Sequence, residues 1–358
     1  MASFVQRSGA QLILDGKPFR VAGGNNYYLG FVDKPIANAV LDLAASLKMN
    51  VLRISAFNEN PAGDVRFHYF DPQTNWPTIQ DGPNGLDRLD RAVYLAGQRN
   101  IRLILTLANN WDAFGGMPAY TNWFGLAAKD QFYTDGRCRA AYWQWAEQLI
   151  TRHNPYTGRA YRDEPAILAW ELANEPECAL KDGVEIMLSW IWEMSSLIKG
   201  KDPNHLVAIG DQGYFRRAKA RGNHLYNGSH GVSCEEFLGV GPIDFGTFHL
   251  YEPMANGAPL YTFGSTWIRE HVEAGARANK PMLLEEYGAR IGSDGIVDAN
   301  HRARLYEGWL QTVRDSNAMG ALVWMVGLPV QSGQPYDLDP YVVNDGPEVD
   351  VIRRFATY

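Results

Sequence analysis

Positive charge is in short supply: 33 Lys and Arg face 40 Asp and Glu, for a formal net charge of −7. A basic footprint for nucleic acid is therefore missing, and no nucleic-acid partner is expected. No run of about 18 apolar residues occurs, so no helix is expected to span a membrane. The opening residues Met1-Ala-Ser-Phe-Val-Gln-Arg carry no apolar signal segment. The chain thus reads either as cytoplasmic or as the mature form of a secreted protein. Cysteine is scarce: Cys138, Cys178 and Cys234 have no metal-ligand spacing, allow at most one disulfide and leave an odd thiol. No repeat with a period of about 20–50 residues shows, and no glycine-rich phosphate cradle opens a helix. No His/Asp/Glu cluster has metal spacing, so neither a metal nor a cofactor is expected.

What the chain does have is apolar material for a large core, with hydrophobic residues at 46% of 358. Aromatics are in surplus, with 11 Trp and 18 Tyr. Most of these read as core, and some as stacking surface for sugar rings. Strand and helix patterns alternate about eight times, from a strand ending at Gly23-Gly-Asn-Asn-Tyr27 to one over Ala318–Val326. That alternation predicts an α/β chain folded as a (β/α)8 TIM barrel. A small N-terminal β-hairpin precedes it, turning at Asp15-Gly16. No linker or compositional break divides the sequence, so residues 1–358 read as a single domain, expected to act as a monomer. Residues 56–87 and 112–125 read as long loops of the kind that build binding walls. The segment after Gly327 reads as a long loop before a closing helix near 348–355. His68, His153, His224, His230 and His271 are expected on surfaces or loops.

Two stretches stand out within this pattern. Ile167-Leu-Ala-Trp-Glu-Leu-Ala-Asn-Glu-Pro176 is an apolar run that ends in Asn174 and Glu175, with Pro176 preventing the strand from continuing. Pro281-Met-Leu-Leu-Glu-Glu-Tyr-Gly288 has the same shape and ends in Glu285 and Glu286. Barrel chemistry sits at the carboxyl ends of the strands. The polar and aromatic residues there are Asn25, Arg53, Asn110, Trp111, Asn174, Glu175, His249, Tyr251, Glu286 and Trp324. Paired carboxyls without a metal point to glycoside hydrolysis, in which one protonates the leaving oxygen and the other attacks the sugar carbon. The two must then differ in pKa. Arg53 beside Glu286 is expected to lower its pKa, and Tyr251 can also donate to it. Strand alternation is expected to turn Glu285 to the opposite face. It keeps Glu171 on the face of Glu175, one layer deeper, as a buried partner of a basic group.

Trp170-Glu-Leu-Ala-Asn-Glu-Pro176 and Leu284-Glu-Glu-Tyr-Gly288 resemble the acid/base and nucleophile motifs of glycoside hydrolase family 5. Within that family the chain resembles the endo-β-1,4-mannanases, a likeness also carried by Ala22-Gly-Gly-Asn-Asn-Tyr-Tyr, Asn109-Asn-Trp-Asp-Ala-Phe-Gly-Gly, Phe248-His-Leu-Tyr and Leu322-Val-Trp. The resemblance implies a retaining hydrolase of mannan, glucomannan or galactomannan that needs no cofactor. It implies Glu175 as acid/base, Glu286 as nucleophile and Asn174 as a ligand of the sugar 2-hydroxyl. Arg53, His249 and Tyr251 would support the two carboxyls, and Trp324 would floor the sugar site. Trp111, Asn110 and Tyr27 are further candidates for substrate contact, with loop packing as the alternative. Three departures stand out: Glu177 where relatives often carry Arg, Glu252-Pro-Met-Ala-Asn-Gly in place of a Trp-containing loop, and no cysteine pairs of the secreted fungal kind. The rival readings are an exo-β-mannosidase or another β-glycanase of the same fold, and a barrel that binds glycans without cleaving them. A polymeric substrate implies secretion.

Overall fold

The computed structural model describes residues 3–60, 62–218, 222–293, 295–328 and 339–357. The stretch 329–338, read from sequence as part of a loop, lies outside the described residues. Eight parallel strands form the centre: β1 Val21–Asn25, β2 Val51–Ser55, β3 Arg102–Thr106 and β4 Ile167–Glu171, then β5 Leu206–Ala208, β6 Gly246–Tyr251, β7 Met282–Gly288 and β8 Gly320–Val323. Their order is β5-β4-β3-β2-β1-β8-β7-β6, every neighbouring pair parallel. Among the described residues no ladder joins β5 to β6. Side chains and single bonds bridge that seam instead. Asp244 Oδ2 accepts from the Val207 N–H, its own N–H reaches Val207 O, and Thr247 Oγ1 donates to Asp211 O. The sheet is thereby nearly closed into a barrel. The apolar runs follow from this, because strands covered on both faces gain nothing from alternation.

Nine helices among the described residues surround the strands: α1 Lys34–Ser46, α2 Leu86–Gln98, α3 Gly116–Trp123, α4 Gly136–Thr151, α5 Gly183–Lys201, α6 Cys234–Phe237, α7 Leu260–Ala278, α8 Ala299–Asp315 and α9 Pro347–Ala356. In α4, Cys138, Ala141, Tyr142, Trp145 and Leu149 recur at helical spacing and are buried against the barrel. Asp135 starts that helix by accepting from the N–H groups of Arg137 and Cys138. The loop expected over 112–125 contains α3. The one expected over 56–87 contains an antiparallel ribbon, His68–Asp71 against Trp76–Ile79.

The expected N-terminal hairpin is present, Gln11–Leu14 against Lys17–Pro18, and Gln6–Ser8 pairs with Gln11–Leu14 to make it a three-stranded sheet. Its Val5 and Leu12 pack with Val51, Ile104, Leu168, Leu283 and Leu322 from inside the barrel. This plug fills the amino-terminal end and leaves the carboxyl ends for the site. Glycine is required at Gly23, where a Cβ would lie 1.8 Å from Val51 O. Two histidines expected at the surface are core residues. His68 is stacked on Trp145 and bonded to Tyr120, and His271 is bonded to Trp267 O and Gly213 O. Burial pushes His68 down to about 3, so it is a neutral ring that behaves as a core aromatic; burial also pushes His271 down, to about 4, against its two carbonyl contacts, only one of which a neutral ring can donate to.

Candidate active site

At the carboxyl end the barrel interior turns from apolar to charged within one layer. Arg53, from the middle of β2, lies at its centre, almost fully buried. Its Nε and Nη2 donate to Glu171 at the end of β4, the latter at 2.7 Å. Thr106 Oγ1 adds a bond to Glu171 Oε1 at 2.8 Å. Burial alone would push Glu171 up, but the Arg53 charge and hydrogen bonds hold it below the ordinary range. Glu171 is thus the buried partner of a cation, and it orients the guanidinium upward. Arg53 then spends Nη1 on Glu286 Oε1 at 2.5 Å and Nη2 on Asn174 Oδ1 at 2.8 Å.

Glu175 and Glu286 face each other above this layer. β4 ends at Glu171, and the chain curls so that Glu175 has φ 48°, a left-handed conformation costing about 1–2 kcal/mol for a non-glycine residue. The curl aims its carboxyl back over the barrel mouth. There Oε1 lies 2.7 Å from His249 Nδ1, and Oε2 accepts from Trp111 Nε1 at 2.7 Å. Glu286 accepts from Arg53 and, through Oε2, from the Tyr251 hydroxyl at 2.6 Å. His249 Nδ1 is also 3.5 Å from Glu286 Oε2, so one ring nitrogen sits between the two carboxyls. Atoms of Glu175, His249 and Glu286 lie within 4.8 Å of one another. Among the described residues this trio alone has the spacing of cation ligands.

Glu285 departs from the alternation rule. It is fully buried inside the barrel, 3.3 Å from His249 Nε2 and 3.6 Å from Arg53 Nε. The cause is a pairing irregularity: Phe248 pairs with Leu284 but His249 pairs with Glu286, so Glu285 is an extra residue on β7. A bulge of this kind lets two successive side chains share a face. Burial and the neighbouring Glu171 carboxylate push Glu285 well up, so it stays protonated.

The two facing carboxyls do not take the pKa order expected from sequence. Burial raises Glu286 above the ordinary range, and the His249 and Arg53 charges offset it only in part. Burial also opposes ionisation of Glu175, but the His249 bond and charge, Trp111 and Arg53 outweigh it and hold Glu175 low. His249 is the reason. Burial alone would neutralise it, yet the Glu286 charge and the bonds to Glu175 and Glu285 carry it up to about 10. The sequence reading counted Arg53 as the cation near Glu286 and missed that a buried histidine touching three carboxyls becomes a second one. A cationic His249 also repels a metal ion, so at neutral pH the trio is set up to hold a proton.

A cavity of about 590 Å³ opens over this pair, and Asn25, Tyr27, Arg53, Asn174, Trp111, Tyr251 and Trp324 line it. Trp324 stacks on Tyr27 with ring centroids 6.0 Å apart. The peptide after Trp324 is cis. Trp111 is 46% exposed, with its indole edge toward Glu175. Asn174 commits Oδ1 to Arg53 and one N–H to Asn109 Oδ1 at 3.0 Å, leaving a second N–H to donate. Asn110 does not line the cavity. Its side chain turns away to Lys129 Nζ and the Glu177 N–H, and Asn109 takes the place expected of it. Asn109 also forms a backbone bridge with Asn174, and the loop there runs one residue off the strand's alternation. Sequence reading also missed Phe57, Phe114, Asp339 and Tyr341 on the cavity wall. Phe114 sits in the aromatic Asn109–Gly116 stretch, which was signal enough, whereas Asp339 and Tyr341 lie in a segment without periodicity. Glu177 is held by Gln212 Nε2 at 3.0 Å and His230 Nδ1 at 3.1 Å.

Comparison with known proteins points one way. The family profile described as "GH family 5 beta-mannosidase-like" matches residues 2–324. Mannan endo-1,4-beta-mannosidase A of Podospora anserina is 34% identical over 343 residues, covering 94% of this chain and 86% of that protein. Among solved structures, the endo-1,4-beta-mannanase from Rhizomucor miehei is similar with a TM-score of 0.91 at 34% identity, over 99% of each chain. The endo-beta-1,4-mannanase from Thermotoga petrophila is similar with a TM-score of 0.87 at 34% identity, over 96% of this chain and 78% of that one.

Proposed function

The chain belongs to glycoside hydrolase family 5, in its β-mannosidase-like group, and on that premise we propose that it is a retaining endo-β-1,4-mannanase cleaving mannan, glucomannan or galactomannan backbones. The observation that carries the reading is the pair Glu175 and Glu286, with carboxyl oxygens within 4.8 Å at the mouth of the barrel. Retaining glycosidases hold their two carboxyls about 5–5.5 Å apart, whereas inverting ones leave room for a water at about 6.5–9.5 Å.

Glu286 attacks the anomeric carbon. Arg53 and Tyr251 hold both of its oxygens, so one attacking lone pair is aimed and the carboxylate cannot rotate. Glu175 gives a proton to the leaving oxygen as the glycosidic bond breaks. Before the reaction that proton is held by His249, 2.7 Å from Glu175 Oε1. Glu286 loses its negative charge on bonding to the sugar, and His249 loses one of the charges that favour its protonation. Its proton then passes more readily to Glu175, so acid strength is coupled to attack. In the second step Glu175 takes a proton from water, which attacks the same carbon and frees Glu286. The free Asn174 N–H supports a sugar hydroxyl near the reacting carbon, and Trp324 with Tyr27 provides an apolar face for the ring. The enzyme is proposed to act as one catalytic domain in a monomer, and its polymeric substrate makes secretion part of the reading. Light scattering and assay of the culture medium test those two points.

The principal test is reducing-sugar release from β-mannan, glucomannan and carboxymethylcellulose by wild type and Glu286→Ala. Activity on the mannans that falls by several orders of magnitude in the variant is expected. Retained activity in the variant overturns the assignment of Glu286. Activity confined to cellulose moves the substrate class. Mid-sized oligomers early in digestion mark endo action, and mannose or mannobiose alone marks exo action.

A further inference from the structure

The segment 339–343, beyond β8, is tied to the site at three points. The Val343 N–H donates to Met325 O at 2.8 Å, the Tyr341 hydroxyl donates to Glu252 Oε1 at 3.1 Å, and Asp339 Oδ2 accepts from Trp324 Nε1 at 3.4 Å. Glu252 directly follows Tyr251, the phenol on Glu286. It is buried, and the same Oε1 accepts from Arg290 Nε at 2.5 Å and Ser293 Oγ at 3.1 Å. The Arg290 guanidinium lies 5.9 Å from the centre of the Tyr341 ring. That ring meets the edge of Tyr251 at 5.2 Å. The buried carboxylate that replaces the expected Trp-containing loop thus anchors the chain arriving from β8.

The side of the cavity this segment occupies follows from the chemistry. The leaving sugar lies with Glu175 and Trp111, and the sugar attacked by Glu286 lies with Tyr251 and Trp324. Asp339 and Tyr341 line the cavity on the Trp324 side. Asp339 Oδ1 accepts the Tyr341 N–H at 2.9 Å and Oδ2 the Trp324 indole N–H. An ionised carboxylate accepts at about four positions, so acceptor capacity remains beside the face on which a sugar would stack. Hydroxyl groups are the donors a pyranose brings there.

We propose that Asp339 is a specificity-determining residue that accepts hydrogen bonds from hydroxyls of the mannosyl units bound over Trp324, and that Glu252 is the positioning residue that holds it there through Tyr341. The proposal rests on the mannanase reading and extends it to residues outside the catalytic set.

The test is steady-state kinetics on β-mannan and on an aryl β-mannobioside, whose sugars fill only the attacked side. Asp339→Ala is expected to lower kcat/KM about tenfold or more on both, chiefly through KM, as loss of a charged hydrogen-bond acceptor does. Glu252→Gln is expected to lower it less. The double variant Glu252→Gln/Asp339→Ala is expected to be no worse than Asp339→Ala, because the first residue acts through the second. Should Glu252→Gln fail to fold, Tyr341→Phe cuts the same tie and is judged by the same coupling. An active wild type with Asp339→Ala within twofold of it overturns this proposal alone, and multiplicative losses overturn the positioning role. A wild type inactive on both substrates overturns the mannanase reading and this proposal with it.

Discussion

His249 sets how the two facing carboxyls respond to pH. In the proposed mechanism Glu286 must be ionised to attack, and burial raises its pKa above the ordinary carboxyl range. kcat/KM should therefore rise with pH through a value on the neutral side of a free glutamic acid. The Glu175–His249 pair must hold one proton, and His249 keeps it up to about 10, so the alkaline limb should lie far above neutrality. In His249→Asn the store is gone and Glu175 must keep the proton itself. The alkaline limb should move down by several pH units, which a kcat/KM profile on an aryl mannobioside would reveal. An unmoved limb would exclude the shared proton. A second residue-scale expectation concerns Gly288, where a Cβ would lie 2.8 Å from Tyr341 and 2.9 Å from Tyr251. Gly288→Ala should displace the phenol from Glu286 and cut kcat by about 10²-fold, the scale of a misplaced catalytic geometry. Far-UV circular dichroism should be unchanged.

At the scale of elements, each strand delivers its chemistry at its carboxyl end, but the ends are not regular. β4 reaches Glu175 only through a left-handed residue, and β7 turns Glu285 inward through a bulge. The helices carry stability rather than chemistry, so the two are separable. Asp135 caps α4 with two backbone N–H groups. Asp135→Ala should cost about 1 kcal/mol in urea unfolding, within a range of about 0.5–2, and leave kcat/KM unaltered. A matching loss of activity would mean that α4 couples to the site.

For the whole molecule, the closing helix is held by a buried ion pair. Arg302 on α8 bonds Glu348 on α9, and both are almost fully buried. Glu348→Ala leaves Arg302 charged and unpaired, which should cost about 3–5 kcal/mol. Arg302→Met with Glu348→Leu should recover most of that loss, because two apolar groups need no partner. Chemical denaturation of the single and double variants tests both statements. A single variant as stable as wild type would mean that α9 is not part of the cooperative unit.

The barrel, the chain order of its strands and the placement of Glu175 and Glu286 at two strand ends were legible without coordinates. Burial on both faces demands continuous apolar runs, and catalytic carboxyls interrupt such runs at strand ends, so both signals are local. Glu171 under Arg53 was legible as well, since alternation holds over the length of one strand. Whatever depends on neighbours distant in the chain was decided only by tertiary structure. The inward turn of Glu285 comes from a register slip between β6 and β7, which neither strand shows alone. The exchange of Asn110 for Asn109 accompanies a bridge between the β3 and β4 loops and the bond of Asn110 to Lys129. The charge on His249 is favoured by the Glu286 and Glu175 charges and by bonds to Glu175 and Glu285, from two strand ends, and it reversed the pKa order expected of the pair. Tyr341 lines the cavity while bonded to Glu252, 89 positions away along the chain, and Asp339 does so beside Trp324. A linear pattern encodes which residues are buried and which face they share. Which charges meet is set by the closure of the barrel.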